Sequence, residues 1–476
     1  MATSEASTPE VYPASTVEAG GTTLSLVRLG REKRLAVRGD ATGFSGPAEG
    51  AGETRLFALT AENAAELRRR LPALQPVPLG LRTSAGTGDR LGLATPGHAR
   101  AFRGTGIAPI FAQQSIREMT RTERTPVDVM TDATWGAFQA GWRGPVGADA
   151  DHLKNTADAD ATAAAGFSLY TVDPGEYVDS SADAASAADL AAKVDGLPWQ
   201  LLDSSPADLD ARYAGRTFDL GERPLAISRE QILRAAAKYG GAVAQAVRMY
   251  RHLDGKGLAF ELEVSVDETE TPTTHAEHYY VAAEMKRLGV RWVSLAPRFV
   301  GRFEKGVDYI GDLQALRADL IGHAQVARAL GPYKLSLHSG SDKFSVYPLI
   351  VEAARGQVHL KTAGTSYLEA LRVISQVDPE FFRAILGLAR ERYATDRASY
   401  HVSAQVEKVP APQAVTDGDL GGLLEDFDAR EVLHVTFGSV LSRWGTRLKT
   451  ALAENEEAYQ AALERHFQRH LAPFKQ

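Results

Sequence analysis

The chain has 476 residues, 53 basic and 60 acidic side chains, a formal net charge of −7, and no cysteine. Near-balanced charge argues against a general nucleic-acid or anionic-membrane binder, and no apolar run approaches the ~20 residues of a membrane span. Without cysteine there can be no disulfide, thiolate metal site or cysteine nucleophile, so any bound metal must use His, Asp, Glu or water.

The first residues, Met1 to Pro13, are small and polar and lack the basic and apolar regions of a signal peptide. They predict a flexible start over residues 1–15 and a cytoplasmic protein. Residues 16–76 read as a small α/β extension. Thr23–Leu29 and Arg34–Val37 alternate as strands, Arg55–Leu59 is a further short strand, and Ala61–Leu71 has a helical pattern.

Eight apolar runs then follow as strands: Leu79–Ala85, Pro145–Asp151, Phe167–Asp173, Leu258–Asp267, Arg291–Arg298, Lys334–Gly340, Gln357–Ala363 and Val432–Gly438. Helical patterns separate most of them. Thr274 and Glu277 form a capping box before Tyr280, Val281, Met285 and Leu288, with Gly289 as the stop. Strands alternating with helices imply a parallel sheet, and eight of them imply a (β/α)8 TIM-type barrel over residues 77–440. Tyr400–Gln405 is a ninth strand candidate. The Ala- and Asp-rich stretch of about 180–240 reads as a helical insertion, and residues 441–476 as C-terminal helices.

The strand patterns point to a site. In Leu258–Asp267 the apolar side chains leave Glu261, Glu263, Ser265 and Asp267 on the inward face. His359 and Lys361 share the inward face of a later strand, and His338 ends another before the turn Ser339-Gly340-Ser341. So polar an inward face is abnormal for a packed barrel and is expected where C-terminal strand ends line an active site. Asp151 and His152 stand together at another strand end. Imidazole and carboxylate suit divalent metals of the Zn, Mn or Ni kind, and an adjacent carboxylate can move protons. Asp151 can equally be read as a helix cap, and Glu261 as the partner of a basic side chain. His359, deeper in the barrel, reads as a core histidine. Arg298, Arg302, Asp342, Lys343 and Lys361 are candidates to grip substrate, as are Asp89, Arg90 and Asp267 at the mouth. Gly86-Thr-Gly-Asp-Arg-Leu-Gly92 lacks the spacing of a dinucleotide loop.

Five blocks resemble the tagaturonate epimerase family: Gly88-Asp-Arg-Leu-Gly-Leu-Ala-Thr-Pro-Gly-His98, Pro109-Ile-Phe-Ala-Gln-Gln-Ser115, Ala148-Asp-Ala-Asp-His-Leu-Lys154, Leu295-Ala-Pro-Arg-Phe-Val-Gly-Arg-Phe303 and Leu337-His-Ser-Gly-Ser-Asp-Lys-Phe344. The resemblance implies a metal-dependent enzyme that interconverts D-tagaturonate and D-fructuronate, with a small keto-uronate as substrate. The neutral ketoses fructose and tagatose, which differ by the same inversion, fall within the implied range. A homo-oligomer is compatible with this reading; nucleic acid and membrane are not expected partners.

A more distant likeness to class II aldolases lies in Asp151-His152, Glu261-Leu-Glu263 and His338-Ser-Gly-Ser341. It implies that His152 and His338 hold the metal and that Asp151 moves the proton. The aldolase pattern has a further histidine where this chain has Leu295-Ala-Pro-Arg298, so Glu263, as a catalytic carboxylate, is also taken as the third ligand. A metal-dependent aldolase of a keto sugar or keto sugar acid is the alternative enzyme, marked by release of a free aldehyde. A catalytically inactive carbohydrate-binding barrel is the alternative outside enzymology, and it would require the site residues to be replaced.

Overall fold

In the computed structural model, which describes residues 9–48, 50 and 52–475, eight parallel strands close a barrel. In chain order they are β1 (Ser84–Gly86), β2 (Ala108–Ser115), β3 (Gly147–Leu153), β4 (Leu169–Val172), β5 (Glu261–Ser265), β6 (Ser294–Ala296), β7 (Lys334–Leu337) and β8 (Val358–Lys361). Helices follow most strands, as the parallel connection requires. The architecture is a TIM-type (β/α)8 barrel.

Seven of the eight expected strands are present; most are shorter than expected, β3 is shifted two residues towards the C-terminus, and β1 ends one residue later. The exceptions are informative. Val432–Gly438 is helical: the helix Phe427–Val435 is capped by the Asp426 side chain, which accepts from Ala429 N, and Phe437–Glu454 continues after it. Every residue from Ala429 to Val435 is buried, and a helix buried all round loses the polar face that would reveal its period. The eighth strand is instead β2, fully buried along Ala-Pro-Ile-Phe-Ala-Gln-Gln-Ser. Tyr400–Gln405 forms no strand.

The chain forms two compact units. One comprises the described residues up to Val77, Thr87–Ala148 and Ala363–Ala472. It opens with an antiparallel sheet in which Leu24 pairs with Val37 and Leu26 with Leu35, all four buried. The helix Ala61–Arg70 follows, capped by Thr60. Residues 1–8 of the expected flexible start lie outside the described residues. Beyond them, Glu10–Val11 pairs in the sheet and Ser15 is buried, its hydroxyl accepting from Leu26 N at 2.8 Å.

The other unit comprises Pro78–Gly86, Asp149–Thr362 and the residues from Pro473 onward. Between β4 and β5 lie the helices Ala187–Asp195 and Pro206–Tyr213, a hairpin of Arg216–Asp219 with Pro224–Ile227, and the long helix Arg229–Asp254. The capping box at Thr274 and Glu277 starts the helix His275–Arg287, and Gly289 follows it with φ +77°. Among the described residues, no helix is long and apolar enough to cross a membrane.

Candidate active site

The C-terminal ends of β3, β5, β7 and β8 bring together Asp149, Asp151, His152, Glu263, His338 and Lys361, all buried. On a regular strand Asp149 and Asp151 would share the inward face and His152 would point outward. The structure breaks that rule. The pairing of β3 with β4 shifts register between Ala150 and Leu153, and His152 has φ +55°. This bulge turns the imidazole to the same side as Asp151, a local strain of the kind bulges carry beside active sites.

Nδ1 of His152 and Nε2 of His338 face each other at 3.2 Å. Asp151 sits between them, 3.1 Å from the first nitrogen and 3.2 Å from the second. Asp151, His152 and His338 each offer a ligand atom within 4.8 Å of the others. Two imidazoles and a carboxylate converging on one point form a donor set for a borderline divalent cation.

The site is short of positive charge. Nζ of Lys361 lies 2.9 Å from Asp149, 2.8 Å from Asp151 and 3.0 Å from Glu263, and donates to Thr171 Oγ1 at 2.6 Å. One ammonium thus faces three buried carboxylates. Burial lowers the Lys361 pKa, but Asp149, Asp151 and Glu263 together hold it above its ordinary value. Burial pushes the Asp151 carboxyl up, yet Lys361, His152 and His338 outweigh it and keep the group well below the usual carboxylate range. The rest of the charge falls to the imidazoles: burial opposes it, but Asp267 and Asp151 bring His338 up to about 9. A cation would displace those protons. The outer atoms of the three groups face charged neighbours: Nε2 of His152 lies 3.4 Å from Glu268, Nδ1 of His338 3.5 Å from Glu263, and Oε1 of Glu263 3.0 Å from Nζ of Lys361.

Glu263 occupies the far side of His338. Its Oε1 is 3.5 Å from Nδ1, the nitrogen turned away from His152, and its other oxygen accepts from Ser294. The group of converging donors is completed by Asp151 rather than by Glu263. Asp267 joins the rim, accepting from Ser265 at 2.5 Å and from Ser339 at 3.3 Å, 3.7 Å from His338 Nδ1. Arg298 donates to Asp267 O at 3.3 Å, while its buried Nε has no hydrogen-bond partner. The turn after β7 needs its glycine: a Cβ on Gly340 would stand 2.6 Å from Leu337 O and 2.9 Å from Lys361 O.

Of four expected substrate contacts, Lys343, Arg90 and Asp89 are engaged by the protein's own groups. Nζ of Lys343 is buried and donates to the carbonyls of Glu304 (2.7 Å), Val307 (2.5 Å) and Ser341 (2.9 Å), so all its donors pin the loop. Asp342 is buried with φ +57° and is outside the converging group. Arg90 belongs to the other unit, where Glu118 takes its guanidinium at 2.5 Å and Phe437 lies beneath it. Asp89, beside it, accepts from the amides of Leu91, Gly92 and Ala94 and so shapes its own loop. His359 is a core histidine as expected, 2.9 Å from Ser84 Oγ and pushed down to about 3 by burial.

Three participants escaped the sequence reading. Asp149 precedes Asp151 by two on the same face and was legible from alternation alone. Glu268 approaches His152 Nε2 at 3.4 Å, and Lys305 donates to Ser339 at 3.1 Å. Both sit on loops, where no periodicity marks them.

Barrel and site together define an α/β-barrel enzyme with a buried histidine–carboxylate centre at the C-terminal strand ends. Comparison with known proteins narrows the class. The sequence profile of the tagaturonate epimerase family (UxaE) matches residues 12–474, and the chain belongs to that family. A tagaturonate/fructuronate epimerase from Thermotoga maritima is 44% identical over 412 residues, covering 86% of this chain and 84% of the relative. The native crystal structure of the fructuronate-tagaturonate epimerase UxaE from Cohnella laeviribosi superposes with a TM-score of 0.94 at 35% identity, covering 98% of this chain and 97% of that one. A glycerol complex of the same enzyme superposes with a TM-score of 0.93.

Proposed function

We propose that this chain interconverts D-tagaturonate and D-fructuronate in a metal-dependent reaction that cleaves and re-forms a carbon–carbon bond. The observation that carries this reading is the convergence of Asp151, His152 and His338 beside Lys361 at the strand ends of a member of this family.

The two sugars differ at a carbinol carbon β to the ketone. Its C–H bond is not acidified by the carbonyl, so enolisation alone cannot invert it. Retro-aldol cleavage, rotation of the aldehyde and re-addition can. His152 through Nδ1, His338 through Nε2 and Asp151 are the residues that would hold the cation, of the Zn, Mn or Ni kind. When bound it supplies a Lewis acid for the ketone oxygen and the charge that develops there. Asp151, kept ionised by Lys361, takes the proton of the hydroxyl on the inverting carbon and returns it after the aldehyde has turned. Glu263 accepts from Nδ1–H of His338 and so turns Nε2 towards the centre. It is thereby a positioning carboxylate and not the third ligand. Arg298, with an unspent Nε, holds the substrate carboxylate, and Lys305 extends the cationic rim.

The test is NMR of tagaturonate incubated with the purified chain in deuterated water, with and without a chelator. Fructuronate should form only with metal present and carry no deuterium at the inverted carbon. Deuterium there, or full turnover in metal-stripped protein, overturns the reading. A released aldehyde fragment would mark the chain as an aldolase.

A further inference from the structure

We propose that a second divalent-cation site lies outside the barrel mouth, formed by His275 at the start of the helix His275–Arg287 and by Asp319 and His323 on the helix Leu313–Leu330. The inference is independent of the reaction proposed above.

Asp319 and His323 are four residues apart on one helix, so their side chains stand one above the other. His275 enters from the neighbouring helix, directly after its Thr274 cap. Nε2 of His275 and Nε2 of His323 each lie 3.4 Å from Asp319 Oδ1. Each of the three residues offers a ligand atom within 4.8 Å of the others. The approach of His275 depends on Gly322: a Cβ there would stand 2.2 Å from its Cε1.

The second observation is the state of His323. The residue is 0% exposed and its Nε2 has no hydrogen-bond partner. On the other edge of the ring, Nδ1 is 2.9 Å from Nδ1 of His278, whose Nε2 is 2.8 Å from the Tyr333 hydroxyl. A proton on His323 Nδ1 donated to His278, and one on His278 Nε2 donated to Tyr333, satisfies this relay. In that tautomer His323 Nε2 is a bare lone pair aimed at a carboxylate oxygen; in the reverse one, with Tyr333 and His278 donating, Nε2 carries a proton 3.4 Å from Asp319 Oδ1. In the first tautomer two buried acceptors face each other at a cost, and a cation between them removes it. With a cation bound the relay accommodates the ligating tautomer, His278 and Tyr333 taking the outward proton of each ring.

His275 Nε2 also lies 3.1 Å from Asp319 O, and binding would release the proton it holds there. Two imidazoles and one carboxylate select Zn, Co or Ni over Mg or Ca. The half-exposed His275 leaves the remaining coordination open to water. Asp319 uses its other oxygen to accept from Val300 N at 3.0 Å, and Thr273 N donates to Arg298 O at 2.8 Å. The ion would therefore clamp two helices together and steady the segment that carries Arg298.

The experiment titrates Co and Zn ions into metal-stripped full-length protein carrying His152→Ala and His338→Ala, with bound metal measured by elemental analysis after gel filtration. One equivalent should bind, with the absorption of low-symmetry Co and a raised Tm. His275→Ala or His275→Gln in that background should abolish binding. In the otherwise wild-type chain either substitution should remove one equivalent from the total, whatever the central site holds. Circular dichroism verifies that each variant is folded; His275, at the helix surface, is the ligand most safely replaced. No binding in the parent double variant, or stoichiometry unchanged by the His275 substitutions, overturns the proposal.

Discussion

Lys361 on β8 places its ammonium 2.8 Å from Oδ1 of Asp151 on β3, while also touching Asp149 and Glu263. The relationship joins strands 210 residues apart in sequence and sets the ionisation of the whole centre. Lys361→Met should leave three buried carboxylates without their cation. Breaking a buried pair by removing one partner costs about 3–5 kcal/mol, so urea denaturation should show a loss of that size, with activity lost alongside. A variant as stable as the parent would show that Lys361 is not the counter-charge of this site.

The donor set is separable by substitution. His152→Ala and His338→Ala should each lose bound metal and epimerase activity together. Glu263→Gln should keep the metal in elemental analysis, with affinity lower by roughly 10–100-fold, the usual cost of losing a partner that orients a ligand. Loss of metal from Glu263→Gln, with full retention in Asp151→Asn, would restore Glu263 as the third ligand.

Arg298 should distinguish charged from neutral substrates. Arg298→Met should lower kcat/KM for tagaturonate by roughly 10–100-fold, the scale of one charge-assisted hydrogen bond of about 1.5–3 kcal/mol. The same change should barely affect any turnover of tagatose, which has no carboxylate. Equal losses on both substrates would place Arg298 in loop structure alone.

His98 gives a stability prediction with a defined sign. It is fully buried against Ser366 Oγ at 2.8 Å, and burial lowers its pKa to about 4. The folded state therefore resists a proton that the unfolded chain accepts near 6.5. The stability this contributes is complete above the unfolded value and is lost as pH falls from about 6.5 towards 4, at most about 3 kcal/mol by linkage. Urea denaturation at pH 7, 5 and 4 should show a shallower decline for His98→Gln than for the parent. Parallel declines would remove His98 from the acid response.

Much of the centre was legible because a strand has period two. That rule put Glu263, His359 and Lys361 inward, and it put Asp151 at the end of its strand. It failed at His152, where a bulge reverses the side chain, and at Val432–Gly438, where a helix buried on all sides mimics a strand. It also passed over β2, where the adjacent Gln113 and Gln114 interrupt the apolar run.

By itself the sequence determined the barrel class, the absence of thiol chemistry, the family resemblance and the residues able to bind metal, since these follow from composition, periodicity and motif. Tertiary structure decided their roles. The same lysine type is a loop pin at position 343 and the counter-charge of the centre at 361, because three carbonyls surround one and three carboxylates the other. A side chain's chemistry is local, but its charge state and free donors depend on neighbours brought from distant strands, and only the folded chain assembles those.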